Sequence, residues 1–194
     1  MKKHVVKVLF LLAMLSLILS LPILADEIHI GFPISTLDNP FFVEVQKGAE
    51  AAAKELGVRV TVLSSEHDPV KQINQIEDFV VQKVDALCII SVDSDAAVPA
   101  VEFAIKQGVP VISVDNGVNT HKVVSFIASD NILAGKLAAK RIIEKIGEKG
   151  KVVELQGMLG SQATRERGGG FHQVMKDYPN INVISQTANF NRTE

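Results

Sequence analysis

Past residue 28, short apolar runs alternate with longer stretches whose apolar residues recur every three or four positions. The runs at 29–34, 58–63, 86–92, 109–114 and 122–128 have strand length, and Pro33 sets the first near its end. Between them, 40–56 carries Phe42, Val43, Ala49, Ala52, Ala53 and Leu56 near one face, and 69–83 carries Val70, Ile73, Ile76, Phe79 and Val80. Both spacings predict helices. Asn39 before Pro40 marks a helix start, because Asn accepts from first-turn amides and proline has no amide hydrogen to lose there. Gly57 marks its stop. A third helix is expected at 96–107, with Asp93 and Asp95 placed to cap it and Gly108 to end it. Strands that are apolar throughout, separated by amphipathic helices, imply a parallel sheet covered on both faces. The fold class is α/β, a doubly wound parallel sheet.

The alternation then restarts, with helix at 132–146, strand at 151–155, helix at 162–177 and strand at 181–186. Two strands make a poor sheet. The pattern therefore predicts a complete first lobe at 26–129 and, at 130–194, a second α/β lobe begun and not finished. This stretch by itself is expected to bind ligand weakly or not at all, and exposed edges in its second half favour aggregation.

The first 25 residues belong to neither lobe. Lys2, Lys3 and Lys7 precede the nearly uninterrupted apolar run 8–21, and 22–25 lead to Asp26 and Glu27. That layout is a secretory signal peptide, with cleavage expected after Ala25. The competing reading keeps 8–24 as a membrane anchor, since the run approaches the length of a bilayer span. Without the leader's three lysines, 17 of the 20 basic residues face 22 acidic ones, a net charge of −5. A mildly acidic chain without a basic stripe argues against nucleic acid. The single cysteine, Cys88, sits in an apolar run and is expected in the core.

Ligands of open parallel sheets bind beyond the carboxyl ends of the strands. At those ends lie Ser35 to Phe42, then Asp93-Ser94-Asp95, then Asp115-Asn116, then Gln156-Gly157 followed by Arg165-Glu166-Arg167. Carboxylates accept from adjacent hydroxyls, and arginine donates to two oxygens in a fixed fork. Phenylalanine rings supply apolar walls. The chemistry suits a polyhydroxylated ligand. Other readings compete at single positions: Phe41 and Phe42 as core residues at helical spacing, Asp115 as a turn residue before Gly117, and Arg167 as a solvated surface charge. Gly168-Gly169-Gly170 is not followed by Lys-Ser/Thr and lies inside a helical pattern, so it is not a phosphate loop. The five histidines show no metal-ligand spacing, and no serine or cysteine has the setting of a nucleophile. No catalysis, cofactor or metal is expected.

Ser-Thr-Leu-Asp-Asn-Pro-Phe-Phe at 35–42, Ile-Ala-Ser-Asp-Asn at 127–131, Glu-Leu-Gln-Gly at 154–157, Arg-Glu-Arg-Gly-Gly-Gly-Phe at 165–171 and Ala-Asn-Phe-Asn-Arg at 188–192 occur in order along the chain. Together they resemble the ribose-binding family of type I periplasmic binding proteins. The resemblance implies two lobes joined by three crossing segments, the first at Ser129-Asp130, that close on a monosaccharide. It implies that Asn39, Phe41 and Phe42 line the site with Ser35 at its edge. Asp115 takes the sugar-binding aspartate role, Arg167 that of the second lobe's arginine, and Phe190 stacks on the sugar. Asn116 is a departure: the family's ribose binders carry arginine there, so a forked cation becomes a neutral amide and ribose loses its claim over other pentoses, hexoses and polyols.

The implied role is the exported, monomeric binding protein of a carbohydrate ABC transporter, delivering a monosaccharide to a membrane permease. A membrane-anchored sugar-sensing receptor domain is the alternative. The repressors that share this fold need an N-terminal helix-turn-helix, and an apolar export segment stands in its place. An exported α/β enzyme lacks a catalytic pair.

Overall fold

The computed structural model describes residues 27–190; the expected leader and Arg192 lie outside the described residues. Strands β1 (His29–Ile34), β2 (Arg59–Ser64), β3 (Ala86–Ile89), β4 (Val111–Val114) and β5 (Ser125–Ile127) form one parallel sheet in the order β2-β1-β3-β4-β5. Helices α1 (Pro40–Leu56), α2 (Pro69–Val81) and α3 (Val98–Lys106) connect the first four strands. The winding direction reverses between β1 and β3, and there the loops leaving neighbouring strands diverge and leave a crevice.

The central strands are covered on both faces, as their apolar runs require, while Phe126 and Ile127 of the edge strand β5 stay exposed. Phe32, Ile34 and Ile90 pack with Phe42, Val45 and Ala49 of α1. On the opposite face Ile76 and Phe79 of α2, with Ala100, Val101 and Ala104 of α3, pack on Leu87, Ile89 and Val111. Gly31 permits this contact, because a Cβ there would lie 2.7 Å from Phe79 Cγ and 2.8 Å from Leu87 Cδ2. Cys88 is half-buried against the α1 cluster, and burial pushes its thiol pKa up.

The helix α1 begins as its sequence foretells: Asn39 Oδ1 accepts from Phe41 N at 3.0 Å, and Gly57 closes the helix at φ +66°. Other boundaries differ for identifiable reasons. The run 86–92 leaves the sheet after Ile89, because the side chain of Gln72 takes over the ladder: its Nε2 donates to Ile90 O and its Oε1 accepts from Val92 N. Asp93 Oδ1 accepts from Asp95 N and Ala96 N, capping a turn ahead of α3 rather than α3 itself. Asp95 instead accepts from Asn119 Nδ2.

After β5 the chain enters a second unit. Helices α4 (Asn131–Ile146) and α5 (Gln162–Met175) accompany the parallel strands β6 (Gly150–Gln156) and β7 (Ile181–Thr187). Ala139, Phe171, Met175 and Ile181 form its core, all on one side of the two strands. Val153, Leu155 and Ile184 on the other face are at least half exposed. The helices cross at two glycines. A Cβ on Gly135 would strike the Arg167 carbonyl oxygen, and one on Gly170 would strike that of Ile132. The Gly168-Gly169-Gly170 run is therefore a helix-packing feature.

Candidate functional site

Because β1, β3 and β4 run parallel, their carboxyl ends share one edge, and the loops carrying Ser35–Phe42, Asp93–Asp95 and Asp115–Asn116 lie along it. Ser35 is buried, with its Oγ 3.3 Å from Nδ1 of His67. Asn39 directs its amide oxygen into the start of α1. The two phenylalanines divide their roles: Phe42 is half-buried in the α1 cluster, while Phe41 is 50% exposed. Their rings are 5.2 Å apart at 69°, so the packed ring fixes the exposed one edge-to-face.

Asp115 ends β4 with φ +58°, a left-handed conformation that non-glycine residues seldom adopt. The turn aims its half-buried carboxyl toward the second unit. Burial raises its pKa above the ordinary aspartate value, and the guanidinium of Arg167 partly opposes that rise. Arg167 is itself held: its Nη2 donates to Asn131 Oδ1 at 2.6 Å, and Asn131 is buried at the first position of α4. The charge of Arg167 is thus felt at Asp115 across the two units, without an ion pair between them.

Asn116 is also buried, but its side chain is engaged throughout by protein. Nδ2 donates to Ser91 O and Oγ, while Oδ1 accepts from Ser161 Oγ and Ala163 N. Phe190, at φ +59°, lays its ring against Gly157, and a Cβ there would push the ring aside. With Glu154, Gln156, Thr164, Arg167 and Phe171 it lines a depression of about 170 Å³. That is below the roughly 300–1,000 Å³ of ordinary ligand pockets, so it supplies one wall of a site. Thr164 Oγ1 in this wall is buried without a partner among the described residues.

Sequence reasoning passed over Ser161, and it placed Ser94, Asn131 and Glu154 in site-forming segments without giving them a role. Asn131 follows a strong cap, Asp130, whose carboxylate accepts from Leu133 N. A polar residue at the first helical position normally faces water, and only the α4–α5 crossing turns this one onto Arg167.

Residues 30–194 match the model of the periplasmic binding protein domain. The chain belongs to the periplasmic binding protein family. Within that family it is 44% identical to the ribose import binding protein of Bacillus subtilis (strain 168), over 168 residues that make up 87% of this chain and 55% of the relative. It spans little more than half the length of that relative. Solved periplasmic binding proteins share its fold. The myo-inositol binding protein of Caulobacter matches with a TM-score of 0.80 and 28% identity, over 88% of this chain and 58% of that one. The fructose-binding periplasmic domain of a hybrid two component system matches at 0.80 and 29%, over 86% and 56%. The neighbours are type I periplasmic binding proteins, whose parallel α/β sheet is the one described above.

Proposed function

We propose that this chain is the sugar-binding part of a carbohydrate ABC transporter, exported by cleavage after Ala25 and working as a monomer that delivers a monosaccharide to a membrane permease. The sugar sits between two hinged lobes, 26–129 and 130–194. The observation that carries this reading is that the half-buried carboxyl of Asp115 lies within charge range of Arg167, which Asn131 holds on the other unit. A carboxylate that accepts from hydroxyls and a fork that donates to ring or hydroxyl oxygens bind a polyol from opposite sides.

Phe41 and Phe190 face the sugar's C–H surfaces, and Phe42 backs Phe41. Asn39 lines the first-lobe wall, with Ser35 at its edge and Asn116 behind it, held by protein hydrogen bonds. Ligand contacts from both lobes stabilise the closed state and drive hinge closure. The relatives named above are binding proteins for ribose, myo-inositol and fructose, which supports a monosaccharide-sized polyol as the ligand. The chain binds without turning the sugar over.

Calorimetric titration of the mature protein with pentoses, hexoses and polyols tests this. One sugar is expected to bind, with Asp115→Ala and Arg167→Ala each weakening it by about 10-fold or more, as charged hydrogen bonds do. A panel without any binder, or binding unaffected by both changes, overturns the reading.

The second reading is a sugar-sensing receptor domain held by the N-terminal apolar run, favoured by the two-component periplasmic domain among the similar structures. N-terminal sequencing of the native protein separates the two: a start at Asp26 supports the transporter, and a start at Met1 in the membrane fraction supports the receptor.

A further inference from the structure

A helix begins with amide N–H groups that have no partner within the helix. In α5 two of these are satisfied from the other side of the site. Gln162 N donates to Ser94 Oγ at 3.1 Å, and Ala163 N donates to Asn116 Oδ1 at 3.2 Å. The next amide, Thr164 N, donates to the helix's own cap Ser161 Oγ, which passes its hydrogen to the same Asn116 oxygen at 2.9 Å. Ser94 N also donates to Gly160 O at 3.0 Å. The loops after β3 and β4 therefore cap a helix that belongs to the second unit.

Asn116 is oriented for this by its own loop. Nδ2 donates to Ser91 O at 2.6 Å and Ser91 Oγ at 3.0 Å, and Ser91 Oγ donates onward to Gly117 O. Rotating the amide would set its NH2 against the Ser161 hydroxyl hydrogen and the Ala163 amide, donor against donor. An arginine here offers no acceptor and sets a cation against the positive end of the α5 dipole. The tie needs a neutral or anionic acceptor of this length, which accounts for the amide in place of a ligand-binding cation.

We infer that Asn116 and Ser94 form an interlobe tie that stabilises the closed conformation through protein–protein hydrogen bonds, and that Asn116 is a positioning residue which sets the sugar site without contacting the sugar. This rests on the hinged-clamp reading. Its consequence is that part of the closure free energy is independent of ligand, so the closed population, and with it the apparent affinity, is raised for every sugar alike.

The test is small-angle scattering of the sugar-free mature protein, beside calorimetry, for wild type, Asn116→Ala and Ser94→Ala. Each hydrogen bond removed is expected to shift the open–closed equilibrium about 3- to 10-fold toward open. The radius of gyration then rises in both variants and falls to that of sugar-saturated wild type at saturating sugar, with affinity lowered in proportion to the lost closed fraction. If Asn116→Ala fails to fold, Ser94→Ala decides, since it leaves every bond of Asn116 intact. A radius unchanged in the folded variants overturns the tie. So does an affinity loss in Asn116→Ala without a change of radius, which indicates direct sugar contact. If no sugar binds, the clamp's ligand assignment fails, while the radius of the sugar-free variants still reports on the tie.

Discussion

Asp115 is held at a conformational and electrostatic cost that the proposed sugar-binding role explains. Its φ of +58° disfavours any side chain other than Asn or Asp, and burial resists its ionisation. A folded-state pKa raised above the unfolded value means that the native state holds the proton more tightly. Folding is then favoured at low pH, and that advantage is lost as pH rises from the unfolded value through the folded one. Asp115→Asn keeps the shape, tolerates the left-handed turn and has no charge to bury. It is expected to raise the melting temperature relative to wild type by more at neutral pH than at acid pH. The same change is expected to abolish most sugar binding, a trade of stability against function. Thermal melts at the two pH values check the first part, and a wild-type melt equal to the variant's near pH 7 refutes it. The strand-end position of Asp115 was legible from sequence alone. Its partner's orientation was not, because Arg167 is aimed by Asn131, 36 residues earlier and on another helix.

The crossing of α4 and α5 shows how one glycine run can carry opposite effects at neighbouring positions. Gly170 faces the backbone of α4, whereas a Cβ on Gly169 meets nothing within 4 Å. Gly169→Ala is therefore expected to stabilise the protein by about 1 kcal/mol through helix propensity alone. Gly170→Ala, and likewise Gly135→Ala, must separate two helix backbones and is expected to cost about 1–3 kcal/mol or more. Denaturant unfolding of the three variants decides, and equal effects at 169 and 170 contradict the packing. The helical period located α5 within two residues of its end, yet it could not rank the three glycines, because only the facing helix distinguishes them. Element existence followed from local pattern throughout. Boundaries failed where a distant side chain intervened, as Gln72 does at the end of β3 and Asn119 does at Asp95.

At the scale of the molecule the two units are unequally built. The five-stranded sheet is sandwiched between α1 and the α2–α3 layer, while the two-stranded sheet is covered on one side only, leaving Leu155 70% exposed. The hydrophobic contribution is roughly proportional to apolar area removed from water, so residues 150–187 have less to hold them than residues 29–114. The half-buried carboxylate of Glu154 adds to that hold. Burial pushes its pKa up, but hydrogen bonds from Ser185 Oγ at 2.6 Å, from His172 Nε2 at 2.9 Å and from Gln156 more than offset it, and the net shift is downward. A depressed folded pKa contributes stability above the unfolded glutamate value that is lost as pH falls through the folded one. In a chain of residues 26–194, amides of β6 and β7 are therefore expected to exchange with solvent well before those of β1, β3 and β4. Glu154→Gln is expected to widen the gap at neutral pH by weakening these charge-assisted bonds, leaving β1 and β3 unaffected. Hydrogen exchange read by mass spectrometry resolves the two sheets separately. Equal protection across them means that they unfold as one cooperative body, with the bonds at Asn116 and Ser94 strong enough to couple the weaker sheet to the stronger.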